Sequence, residues 1–528
     1  MKWVRVYSWL KRHEPWIFLL VALVNLMPVF AGKYFPTLDG AAHLYNANII
    51  KELFLNSDTN MAAFYEFNST PVPNWTGHFI LAFLRLFFPA YLAEKCLLVV
   101  YLFGLPYAFR SLVSDINPKN SLSSYLIFPF CYTGVFLLGF YNFSIGILMF
   151  FVVLSAWIKW ENRGFTRKKW ALFTLLFILL YFSHLVVFAV SIGVILGRMI
   201  YLNGYYHWEK KSLKKTLNRG ILLQIGFLLL TALLPIILLI QYFINKPVLA
   251  SSKWLSNKKL ISSLYELESL IGFNYDLERK FTIFILCAIL LLIIFILVKR
   301  IRSGIKIGKL IQQNDYWLFA ALGVLVLYFI LPNESSSAGF VSIRLNLIFF
   351  LLLICWMASQ HINKTLLSVL IPIILFCNLK LNEYYFIVSY SLNNYANNIT
   401  SCAKYIEYGS TVIPLNYSEN WLSLHFSNYL AVDKNLLVMD NYEATLDYFP
   451  ITWTGADFPN MTIGEKPFKD QECTTWLTNP YSSSQQANYV FIFGSPILEG
   501  CNLSIKQELN AAYSLIYSKD MIELYKRK

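Results

Sequence analysis

Apolar runs of about 14 to 23 residues recur from Trp16 to Leu379, separated by short basic or polar stretches. A run of that length crosses the hydrocarbon of a bilayer as a helix, because only a helix or a closed barrel satisfies its own backbone groups there. Charged residues are 14% of the 528-residue chain, against about 25% in soluble proteins. Disorder, collagen and coiled coil are excluded, and the chain reads as a polytopic α-helical membrane protein.

The net charge of +14 does not imply nucleic acid, because the basic residues cluster between apolar spans. Lys2, Arg5, Lys11 and Arg12 precede the first span, and Arg163, Arg167, Lys168 and Lys169 form a second cluster. Arg198, Lys210, Lys211, Lys214, Lys215 and Arg219 form a third, and Lys299, Arg300, Arg302, Lys306 and Lys309 a fourth. These read as cytoplasmic loops under the positive-inside rule. The start resembles a signal peptide, but Lys33, Tyr34 and Phe35 follow the apolar stretch without a small-residue cleavage site, so an uncleaved anchor with a cytoplasmic N-terminus is expected.

Counting from that orientation gives about eleven crossings. Trp16–Ala31 goes out to a long loop, 32–76. His78–Phe88 is short and holds Arg85, so it is expected to lie in the interface as an amphipathic helix, while Leu92–Phe109 crosses. Leu122–Leu138 and Ser144–Ile158 flank a short exposed turn. Trp170–Phe182 and Leu185–Ile200 form a hairpin with Ser183 and His184 at its tip, or else one long helix containing His184. Ile221–Phe243 leads to the outer loop 244–280, and later crossings end at Leu379.

Composition changes after Asn382. Residues 1–381 form the transmembrane domain, and 382–528 read as one soluble extracytoplasmic α/β domain with strand-like runs at Thr411–Leu415, Leu436–Met439 and Tyr489–Phe493. Cys96, Cys131, Cys287, Cys355 and Cys377 fall in or beside spans as packing residues, and a Cys473–Cys501 bridge suits an oxidising compartment.

The segment Phe35-Pro36-Thr37-Leu38-Asp39-Gly40-Ala41-Ala42-His43 follows the first span. On a helix, Asp39 and His43 face the same way and can share one metal ion, phosphate or hydroxyl. Alternatively Asp39 is only a helix cap, with His43 packed beside it. His78, His184 and Arg344 are placed by the topology at the same outer boundary, where ionisable groups are costly and line cavities. Together they describe a pocket with a base and cationic partners for a departing phosphate, Arg344 being suited to clamp it.

In the outer loop, Lys246, Lys253, Lys258 and Lys259 precede Tyr265 and Glu266, and leucines at helical spacing suit a surface helix covering the pocket. In the tail, Pro414-Leu415-Asn416-Tyr417-Ser418, Trp421, His425 and Asp440-Asn441-Tyr442-Glu443 combine groups that suit sugar binding and also occur in ordinary turns.

This layout resembles the GT-C superfamily of integral membrane glycosyltransferases: a cytoplasmic N-terminus, a long first outer loop with an acidic residue just after the first span, and an extracytoplasmic tail. The resemblance implies a polyprenyl-phosphate sugar donor and an acceptor of unknown identity; the expected location is among the lipids of a bacterial inner membrane. It implies Asp39 at the active site; the reading of the residues adds His43 as its partner and His78, His184, Arg344, Tyr265 and Glu266 as substrate-binding candidates. Many members carry two neighbouring acidic residues in this loop, whereas here Asp39 is followed by Gly40 and then His43. Either His43 replaces the second acidic ligand of a divalent metal ion or the chain is a non-catalytic relative. A transporter or flippase of a lipid-linked anion, or an assembly scaffold, are the competing classes.

Overall fold

The computed structural model describes all residues except 1, 56–58, 162–163, 165, 210–218, 245–251, 303–310, 335–338, 419, 455–486 and 495–502. The chain divides into two compact units. The membrane unit comprises Met1–Met27, Val99–Leu137 and Phe143–Tyr384, and the loop unit comprises Pro28–Leu98, Leu138–Asn142 and Tyr385–Lys528.

Among the described residues, eight helices are long and apolar enough to cross a membrane: Ala90–Ile116, Tyr141–Glu161, Leu185–Tyr206, Ile221–Tyr242, Tyr275–Arg302, Gln313–Ile330, Val341–Ser359 and Lys364–Tyr405. Val341–Ser359 is 83% buried and Ile221–Tyr242 only 22%, so the first is an inner helix and the second turns most of its leucines outward. Three of the expected crossings fall outside this set. Leu122–Leu138 folds as a 3-10 segment, Pro118–Phe130, followed by the one-turn helix Gly134–Leu137, with Pro129 unable to supply a backbone donor there. Trp170–Phe182 becomes the 17-residue helix Arg167–Ser183. The first crossing is displaced towards the N-terminus, as Lys2–Val24.

The basic ends of the spans are built into the bundle. Arg300 grips Asp315 with both guanidinium nitrogens at 2.9 and 2.6 Å, and the Trp356 indole donates to the same carboxylate at 2.9 Å. His184 has an extended backbone and separates Arg167–Ser183 from Leu185–Glu209, so the two halves are distinct helices. The parts of the basic clusters at Arg163, Lys210–Lys215, Lys306 and Lys309 lie outside the described residues.

In the loop unit the first loop and the C-terminal segment pack into one body. The tail builds a five-stranded mixed sheet from β2 (Thr411–Tyr417), β3 (Leu437–Val438), β5 (Tyr489–Gly494), β6 (Tyr513–Lys519) and β7 (Ile522–Arg527), in the order β3-β2-β5-β7-β6. Strand β5 is buried along its whole length and is a near-continuous apolar run, as befits a central strand covered on both faces. The remaining strands, β1 (Tyr65–Phe67) and β4 (Ile451–Trp453), pair antiparallel and tie the first loop to the tail. Cys402 is buried and forms no disulfide with the described residues; Cys473 and Cys501 lie outside the described residues.

Thr76–Leu84 is a nine-residue helix, too short to cross. Phe79, Phe83 and Phe87 are exposed on one side, while Arg85 turns inward to Asp433 at 2.7 Å, the Val432 carbonyl at 2.8 Å and Asn48 at 3.2 Å. Charge-assisted bonds of this kind contribute about 1.5–3 kcal/mol each. Asp433 is partly solvated, so losing its partner costs less than a fully buried pair would. Arg85→Ala is therefore expected to destabilise the protein by about 2–3 kcal/mol, read as a fall in Tm in detergent, and Asp433→Ala by less. Equal Tm values for Arg85→Ala and the parent protein would show that this anchor is not needed.

Candidate functional site

The segment singled out in the first loop forms the Gly40–Leu55 helix, buried on almost every side. The Thr37 hydroxyl accepts from the Gly40 N–H at 3.0 Å and supports its start. Asp39, Ala42, His43 and Asn46 then follow at helical spacing on one face. Ala42 packs against Tyr442 and Phe449, so that face looks onto the tail and the polar residues beside it meet tail residues.

Glu443 is the centre of the meeting. It lies in the 3-10 turn Tyr442–Thr445 and is fully buried. One carboxylate oxygen is 2.6 Å from His43 Nδ1, and the other is 2.8 Å from His78 Nε2 and accepts from Asn46 at 2.8 Å. Asn46 and Asn441 exchange side-chain hydrogen bonds at 3.0 and 2.8 Å, which fixes the turn against the helix. The two imidazole rings meet edge to face with centroids 4.7 Å apart.

Asp39 stands next to this cluster. Its carboxylate hydrogen-bonds with the Tyr442 hydroxyl and has the His425 Nε2 at 3.8 Å. The His425 and Tyr442 rings stack with centroids 4.3 Å apart. Burial pushes the His425 imidazole down to about 4, so it is neutral at pH 7.

The second cradle of Asp39 is the turn Leu138–Asn142. The Asp39 N–H donates to the Leu138 carbonyl at 3.1 Å, and the Gly139 carbonyl accepts from His43 Nε2 at 2.8 Å. Gly139 has φ +92°, and a Cβ there would stand 2.8 Å from Thr37 Oγ1 and 3.0 Å from Asp39 Cβ. Only glycine fits both the backbone angle and the space. Gly139→Ala is expected to cost about 1–3 kcal/mol and to push Asp39 out of place, so that Tm and any activity fall together. Unchanged Tm and activity in that variant would refute the close packing. Behind this turn, the Tyr141 hydroxyl donates to the fully buried Glu94 at 2.9 Å and bonds to Thr37 at 3.2 Å.

A carbonyl oxygen only accepts, so the proton on His43 sits at Nε2, facing Gly139. Its Nδ1 then faces an anionic oxygen at 2.6 Å, and a cation must stand between them. With a proton in that role, burial alone would lower the imidazole, but the Glu443 carboxylate outweighs it and raises His43 to about 9. Burial would likewise raise Glu443, and the two imidazoles instead draw it down to about 2. The His78 imidazole is lowered, by burial first.

The loop unit therefore brings together Asp39, His43 and His78 of the expected residues. His184 and Arg344 belong to the membrane unit, where both flank Phe143: the His184 ring meets it edge-on at 4.9 Å, and the Arg344 guanidinium is 5.7 Å from its centre. Tyr265 ends the short helix Asn257–Tyr265 of the outer loop and is exposed. The buried Glu266 side chain stands 3.8 Å from Arg279 and hydrogen-bonds Tyr275; Lys246 lies outside the described residues. Sequence reasoning gave Glu443 and His425 only as members of polar tail segments, and Glu94 not at all.

No protein-family model matches the chain, and no curated protein sequence matches it significantly. The class defined by fold and site is a helical protein with eight helices, among the described residues, long and apolar enough to cross a membrane, whose first loop and C-terminal segment pack around a cluster of acid and base side chains.

Proposed function

We propose that this protein is a membrane glycosyltransferase that moves a sugar from a polyprenyl-phosphate-linked donor to an acceptor at the extracytoplasmic face. The observation that carries the reading is the convergence of Asp39 with His43, His78, His425 and Glu443 in one buried cluster. Buried titratable groups are costly and gather where proton transfer is needed. The GT-C resemblance independently assigns the acidic residue after the first span to the active site.

In this reaction the acceptor oxygen bonds to the anomeric carbon and the sugar–phosphate C–O bond breaks. Polyprenyl phosphate leaves with the electron pair. Asp39 takes the acceptor hydroxyl proton as general base. Tyr442 holds its carboxylate with His425 Nε2 at 3.8 Å beside it, and the His43–Glu443–His78 group fixes the helix face that carries it.

Incubation of the purified protein with a panel of radiolabelled polyprenyl-phosphate sugars tests the proposal. Release of polyprenyl phosphate with label on a new acceptor is the expected result. Movement of an intact donor across vesicles with no bond cleavage would instead make the chain a flippase.

A further inference from the structure

The geometry points to a divalent transition-metal site, of the zinc class, formed by His43 Nδ1, His78 Nε2 and the Glu443 carboxylate. These ligand atoms all lie within 4.8 Å of one another, and all three side chains are buried. Two imidazoles and one carboxylate are the donor set of three-ligand catalytic zinc sites, which keep a fourth position for water or substrate. An ion at about 2.1 Å from each ligand requires side-chain shifts of under about 1 Å.

One further feature supports a metal: the far nitrogens are arranged as metal-binding histidines arrange them. His43 Nε2 bonds to the Gly139 carbonyl at 2.8 Å, and His78 Nδ1 lies 3.2 Å from the Asn74 carbonyl. Carbonyls accept only, so protons held at these positions turn both bare nitrogens towards Glu443. Two lone pairs facing a carboxylate repel it unless a cation sits among them.

His43 Nδ1 and Glu443 Oε1 approach to 2.6 Å, the distance of two groups that share a cation, a proton in the metal-free protein. An ion bonded to both at about 2.1 Å in tetrahedral geometry opens this contact to about 3.4 Å, so the two side chains move apart when the ion binds. The competing arrangement gives His78 Nδ1 a hydrogen from Asn142 Nδ2, at 3.3 Å, and leaves a proton on His43 Nδ1. Nitrogen-rich ligation favours zinc, cobalt or nickel over magnesium or calcium. Asp39 stands outside the ligand set, so the metal pair expected from sequence, Asp39 with His43, is replaced by His43 with two partners distant in the chain.

The test does not depend on the transferase reading, because it reads metal and not turnover. The full-length protein, carrying a tag without histidines, is loaded with Zn²⁺ or Co²⁺, dialysed and analysed by elemental mass spectrometry and visible absorption. About one equivalent with a tetrahedral Co²⁺ band is expected, falling at least about tenfold in His78→Ala and Glu443→Gln and unchanged in His361→Ala, which removes an exposed imidazole. His78→Cys is expected to keep the metal and gain a sulfur-to-cobalt charge-transfer band, a signature that a purely structural histidine would not produce. Metal-free parent protein after loading, or full metal content in both His78→Ala and Glu443→Gln, would overturn the site and leave a proton as the shared cation.

Discussion

In the Asp39→Asn variant, transfer of labelled sugar is expected to fall by roughly 10²- to 10⁴-fold, the usual contribution of a positioned general base. The amide fills the same space and can still bond to Tyr442 and lie beside His425. It cannot take a proton from the acceptor at neutral pH. Donor binding and membrane insertion should therefore remain, and the loss should appear in kcat rather than in KM. Asp39→Glu lengthens the side chain against a turn where Gly139 leaves no free space, so partial activity is expected there. Full turnover in Asp39→Asn would remove Asp39 from the chemistry.

The second large effect concerns Glu443. It is fully buried, and both oxygens are engaged by imidazoles, with Asn46 on one of them. Glu443→Ala leaves His43 and His78 facing each other without an anion. Removing one partner of a buried charged group costs about 3–5 kcal/mol. A large drop in Tm in detergent is expected, together with separation of the Gly40–Leu55 helix from the Tyr442–Thr445 turn. Hydrogen exchange over 40–55 and 436–449 measures that separation. Glu443→Gln keeps the shape and one acceptor oxygen, so its Tm should lie between the two. A parental Tm in Glu443→Ala would show that the cluster does not hold the loop unit together.

Sequence reached the class of fold because span length and charge placement follow directly from bilayer physics. It also found β2, β3 and β5, whose apolar runs are continuous. The hairpin β6–β7 was not legible: its turn places Asp520 and Met521 at φ +49° and +62°, and Asp-Met lacks the glycine that marks such turns. The 3-10 segment Pro118–Phe130 was read as a span because it is as apolar as one, and periodicity carries no information on helix type. Hydropathy likewise did not locate the end of Lys364–Cys402, a helix that continues 23 residues past the apolar run ending at Leu379.

At the site, spacing alone pairs Asp39 with His43, since both belong to one helix face. The partner that organises them, Glu443, lies 400 residues further along the chain. The packing of Ala42 against Tyr442 and Phe449, with the Asn46–Asn441 bonds and the β1–β4 pair, brings it there. Its sequence neighbours Asn441 and Tyr442 signalled polar recognition without saying what the segment would face. His184 and Arg344 were legible as costly ionisable groups, and they lie together around Phe143 in the membrane unit.

Photocrosslinking interrogates the central claim most directly. A polyprenyl-phosphate sugar bearing a diazirine on the sugar ring is bound to the full-length protein and irradiated, and the adducts are mapped by mass spectrometry. Adducts within residues 35–45 and 425–449 are predicted, competed away by unlabelled donor. Competable adducts confined to other parts of the chain would contradict the placement of the reaction at Asp39.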